Sequence, residues 1–103
     1  MAKDKLSVTY AQLEAASNKV ESKANDYRAA YTRLYGRVDS LSTGMAGDDH
    51  KAFVEQINGF KDDFQRMEQL MHEYAEYLKK AAITLRETEE RLAAEARNLP
   101  TGA

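Results

Sequence analysis

Leu41-Ser42-Thr43-Gly44-Met45-Ala46-Gly47-Asp48-Asp49-His50-Lys51-Ala52-Phe53 is the stretch at which this chain must turn. On either side of it the sequence reads as one long helix with almost no breaker residues. Gly44 and Gly47 bracket the turn, and glycine is the residue that takes the φ > 0 conformations a reversing helix needs. Asp48 or Asp49 then offers a side-chain oxygen to the free N–H groups of the following helix, and negative charge suits that end of the helix dipole. A continuous rod through 42–48 is disfavoured, because each glycine in a helix interior costs about 1 kcal/mol.

Working outward, Thr9 and Gln12 have the spacing of a capping box, and Val8 with Leu13 that of a hydrophobic staple. Leu13, Ser17, Val20, Ala24, Tyr27, Tyr31, Leu34, Val38, Leu41 and Met45 then follow in alternating steps of four and three. Beyond the turn Phe53, Ile57, Phe60, Phe64, Met67, Met71, Tyr74, Leu78, Ala81 and Leu85 keep the same step. A period of 3.5 marks a helix whose apolar seam faces another helix. The expected fold is therefore all-α: an antiparallel two-helix hairpin with helix one over about 9–42, a turn over 43–48, helix two over about 49–98 and a fraying tail over 99–103. Pairing the seams outward from the turn sets Leu41 against Phe53, Leu34 against Phe60, Tyr31 against Phe64, Tyr27 against Met67, Ala24 against Met71 and Val20 against Tyr74. Aromatic pairs fall near the turn and small residues toward the open end, where the helices should approach more closely.

Composition narrows the function classes. The chain has 103 residues, a net charge of −2, no Cys and one Pro. One domain of this length has neither a disulfide frame nor a Cys-based metal site. The charge balance offers no basic patch for nucleic acid, no apolar run approaches a membrane span, and Met1 to Leu6 carries charge without the apolar segment of a signal peptide. No catalytic constellation is visible, and no cofactor is expected. Glu68, His72 and Glu76 share one helix face and would hold at most a weak metal ion; a solvated face, away from the seam, is the simpler reading.

A single hairpin leaves a chain of this size short of core. Tyr35 lies beside Tyr31 and Val38 of the first seam, Leu70 and Tyr77 form another row beside Met71, Tyr74 and Leu78, and Gly36 and Gly59 sit inside helices as if another backbone came close. Tyr31, Tyr35, Val38, Leu70 and Tyr77 are the candidate contact surface. Either these rows broaden the hairpin core, or they receive a partner hairpin to complete a four-helix bundle. The second is expected, since tyrosines suit a surface that meets both water and a partner.

Leu41, then Met45-Ala46-Gly47, then Phe53 six residues after the glycine resembles the signature of the small WXG-motif proteins exported by type VII secretion systems, the early-secreted-antigen-like family. Here Met45 stands where the family has Trp. The resemblance spans nearly the whole chain and implies a helical hairpin with the motif at its turn. It also implies a secreted substrate, or an adaptor for a larger helical toxin domain, leaving the cytoplasm of a Gram-positive-type bacterium without a cleaved signal peptide. The implied partners are a second copy or a paralogous hairpin, and the secretion ATPase. That enzyme is expected to read a composite signal: the turn and a late Tyr-x-x-x-Asp/Glu. The late half matches Leu85-Arg86-Glu87-Thr88-Glu89, with Leu85 for the Tyr and Glu89 for the acid. Met45 is expected to pack at the turn as a flexible substitute for Trp, and Arg86 to Leu99 to form a helical tail that carries signal. The alternative from another class is an intracellular coiled-coil hairpin that serves as a structural or scaffold module.

Overall fold

The computed structural model describes residues 8–99. It contains helix α1, Tyr10–Ser42, and helix α2, Gly47–Arg97, and no strand among the described residues. The two pack side by side into an antiparallel hairpin, a rod 87 Å long and 24 × 17 Å across.

Each end of α1 follows from local chemistry. Thr9 caps its start: the Thr9 Oγ1 accepts from the Gln12 N–H at 3.1 Å, and the Thr9 N–H donates to Gln12 Oε1 at 3.0 Å. Two of the donors left unpaired at a helix start are thereby satisfied reciprocally. At the other end Ser40, Ser42 and Thr43 donate their hydroxyls to carbonyls three or four residues back, those of Gly36, Asp39 and Ser40. The chain then turns through Gly44 and Met45, whose N–H groups reach the Leu41 and Ser42 carbonyls.

The turn itself differs from the expectation in two respects. Gly44 keeps an ordinary φ; Gly47 alone, among the described residues, is left-handed, at φ 51°. Helix α2 also begins there, earlier than the expected position near 49. Ala46 occupies its N-cap without a side-chain hydrogen bond, so neither Asp48 nor Asp49 caps it. Both lie inside the first turn, where their charge still favours the dipole.

The seam is set by an aromatic knot at mid-hairpin. The Phe64 ring stacks on Tyr31 with centroids 5.9 Å apart and planes 10° apart, while Tyr27 and Tyr35 meet it edge-on at 5.9 and 6.1 Å. The Tyr31–Phe64 pairing expected from the sequence is thus present. Toward the open end the contact narrows to small side chains: Ala24, Ala75 and Ala82 are 0, 2 and 4% exposed. Ser17 donates to the Ala75 carbonyl at 2.7 Å, a bond possible only where two backbones come close.

Part of the expected register is corrected. Leu41 is 72% exposed, and Leu34, Phe60, Met67 and Tyr74 are 45 to 55% exposed. Ile57, Phe64, Met71, Leu78 and Leu85 keep their inward row, but the second inward row of α2 is Glu68, Ala75 and Ala82, one position further on than Met67, Tyr74 and Ala81. On α1, Tyr35 and Ser42 replace Leu34 and Leu41 as the helices near the turn. The apolar stripe on α2 is wider than one seam, and its small-residue edge, not its bulky one, is what lets α1 approach.

Candidate docking face

The displaced bulky residues lie together. With about 100° of rotation per residue, Leu34 and Leu41 fall on one side of the inward row of α1, and Phe60, Met67 and Tyr74 fall on the same side of the hairpin from α2. Leu70 and Tyr77 stand one row further out, at 52 and 65% exposure, and the Tyr74 and Tyr77 rings stack with centroids 6.3 Å apart. The result is an apolar strip along one broad face of the rod.

The opposite face is polar and crosses between the helices. Glu68, 9% exposed, receives the Tyr31 hydroxyl on Oε1. Its Oε2 lies 2.9 Å from His72 Nε2 and 4.0 Å from the Arg28 guanidinium. His72 Nδ1 lies 2.7 Å from Glu21 Oε1 on α1. The hydrogen bonds from Tyr31 and then His72 hold the Glu68 carboxyl below its ordinary value, against the opposing effect of burial. The Glu68 bond, with smaller help from Glu21, raises the His72 imidazole above its ordinary value. The same Glu68 bond, helped by burial, raises the Tyr31 phenol. Glu68 and His72 are therefore not the solvated face the sequence suggested: they tie α1 to α2. The two carboxylates sit on opposite nitrogens of one ring, so they do not converge, and no cluster suited to a metal ion occurs among the described residues.

The residues singled out from the sequence separate into three places. Tyr31 is 9% exposed and turned into the hairpin, with Tyr35 and Val38 half-buried beside it. Their surface is largely spent within the chain. Leu70 and Tyr77 are on the open apolar strip. Sequence reasoning left out Leu34, Leu41, Phe60, Met67 and Tyr74 as surface groups, because a bulky apolar residue in heptad step reads as core.

Met45, Ala46 and Gly47 form the tip. Met45 is 40% exposed, so it does not fill the turn as expected. Gly47 carries the left-handed φ, a direct reason for glycine at that motif position. Leu85 and Glu89 lie far along α2, the first half-buried and the second exposed. Tyr10 and Arg86 line one groove at the open end, so α2 runs on from there past the start of α1, with Leu92 and Leu99 55 and 65% exposed.

A family profile described as "Proteins of 100 residues with WXG" matches residues 5–90, nearly the whole chain, with the turn motif inside the match. The chain belongs to the WXG100 family. Among solved structures it is similar to Geobacillus thermodenitrificans EsxA, crystal form I, with a TM-score of 0.75, 21% identity, and coverage of 88% of this chain and all of that one. That likeness supports the two-helix fold. A comparison with curated proteins returned no match. As a WXG100 member the chain is one of the small helical proteins associated with type VII secretion. No helix among the described residues is long and apolar enough to cross a membrane.

Proposed function

We propose that this WXG100 protein is a type VII secretion substrate or adaptor that acts by binding, without catalysis, as a pair of hairpins joined through the apolar strip. The observation that carries the reading is the strip itself, on a chain of this family. Leu34, Leu41, Phe60, Met67, Leu70, Tyr74 and Tyr77 are each 45 to 72% exposed and share one face. A standard interface takes roughly 800 Å² from each partner, and several half-exposed aromatic and aliphatic side chains on one face supply area of that order. The partner is a second copy or a paralogous hairpin, and together they form a four-helix bundle with the polar faces outward.

The secretion ATPase is the second proposed partner. It reads two elements at separate ends of the rod: the exposed Met45-Ala46-Gly47 tip, and the segment from half-buried Leu85 to exposed Glu89 with the helix beyond. Met45 is half-exposed at the tip, which supports recognition over packing. Export in a type VII-competent host, followed in the culture supernatant against a cytoplasmic marker, is the test. Met45→Ala, Glu89→Ala and truncation after Leu85 should each reduce export, the truncation most, while circular dichroism shows the hairpin still folded. Normal export of the truncated chain would remove Glu89 and the helix beyond it from the signal.

A further inference from the structure

We propose that Glu21, His72 and Glu68 form a protonation-operated clasp between α1 and α2, closed when the imidazole carries both protons and released on its α1 side when it carries one. The geometry demands two donors from one ring. His72 Nδ1 is 2.7 Å from a Glu21 oxygen and Nε2 is 2.9 Å from a Glu68 oxygen. Carboxylates accept only, so both ring nitrogens must donate, which only the imidazolium can do. A neutral ring donates from one nitrogen and turns a lone pair toward the other carboxylate.

Which bond is released follows from burial. The Glu68 side chain is 12% exposed, holds the Tyr31 hydroxyl and lies beside Arg28, so it stays in place. The Glu21 side chain is 49% exposed and can exchange its bond for water. On deprotonation the ring therefore keeps Nε2–H on Glu68, and Glu21 leaves with α1 unpinned at that point. The other charged groups around the ring do not replace it: Glu76 and Lys80 pair with each other at 3.3 Å on α2, Lys79 lines the same groove, and the exposed Arg28 is 4.0 Å from Glu68.

The sign is fixed by linkage. A His raised above its ordinary value contributes stability in full below about 6.5, its unfolded value, and loses it as pH rises through the folded value. Glu68 acts in the other direction: lowered below its ordinary 4.5, it contributes above that value and is lost as pH falls through the folded one. The clasp is strongest between those limits, and the α1 side opens on the alkaline side of His72.

The chain has two histidines, so the full-length His50→Gln protein isolates His72. Two-dimensional ¹⁵N spectra across pH 5–9 should show both His72 nitrogens protonated at low pH and a midpoint above the ordinary value, moved down by Glu21→Gln. Amide exchange over 14–24 should quicken above that midpoint, with 53–64 unchanged once intrinsic pH effects are removed. In the His72→Gln background the melting temperature should no longer fall over this range. A His72 midpoint at or below 6.5, or exchange that rises equally at both ends of the rod, would overturn the clasp. Should His72→Gln fail to fold, the parent titration and exchange pattern decide alone.

Discussion

Two glycine environments separate at the level of single residues. Gly47 sits at φ 51°, where a Cβ crowds the following carbonyl, so Gly47→Ala should cost about 1–2 kcal/mol. Gly36 and Gly59 have ordinary φ, and a Cβ added at either would meet nothing within 4 Å. Alanine there should stabilise by about 0.5–1 kcal/mol through lost unfolded-state entropy. Urea melts of the three variants test the contrast, and a neutral Gly47→Ala would mean the tip readily adopts another turn. The same scale shows what the sequence could not disclose. A capping box at Thr9 is readable, because its partners are three residues apart. A Tyr31–Glu68 bond is not, because it joins positions 37 apart, and an acid beside an apolar row looks solvated until the opposing helix is in place.

Between elements, the legible quantity was the period and the illegible one its phase. Alternating steps of four and three located both helices, their antiparallel run and the Tyr31–Phe64 pairing. On α2, however, apolar residues fill three neighbouring rows, those of Met71, Met67 and Leu70. Binary pattern cannot say which edge of so wide a stripe turns inward. Backbone distance decides it: with small buried residues such as Ala24 and Ala75 along the contact, the helices come close enough for the Ser17 bond to the Ala75 carbonyl at 2.7 Å, and a row of Met67 and Tyr74 would hold them apart. Ala75→Leu should therefore be unfavourable despite its added apolar area. Ala75 is 2% exposed, and overpacking a close contact costs about 1–3 kcal/mol. Loss of stability by Ala75→Leu in urea melts, with little change on Ala75→Ser, is the expected outcome. A more stable Ala75→Leu would show that the helices are free to separate there.

At the scale of the whole molecule, the rod is short of interior. The apolar residues buried below one-tenth exposure among those described are Ala24, Tyr31, Ala75, Leu78 and Ala82, three of them alanine. A thin seam of that kind supplies little stability by area, whereas the strip on the outer face leaves Leu41, Phe60, Met67, Leu70, Tyr74 and Tyr77 48 to 72% exposed. Pairing two hairpins through the strip would convert exposed Phe60, Met67 and Tyr74 into core, and stability should then depend on protein concentration. The melting temperature of the intact chain should rise with concentration, as binding linkage requires, and sedimentation at micromolar concentration should give twice the chain mass or show capture of a paralogous hairpin. Phe60→Glu with Tyr77→Glu places charge in the strip without touching the aromatic knot. It should give a monomer whose lower melting temperature no longer moves with concentration. Val54→Glu puts the same charge on the other side of α2, near Tyr35 and Lys61, and should leave the concentration dependence intact. If the Val54 variant dissociates and the strip variant does not, the docking surface is the groove by the turn instead. If neither dissociates and the chain is monomeric at every concentration with and without a paralogue, the strip has no hairpin partner.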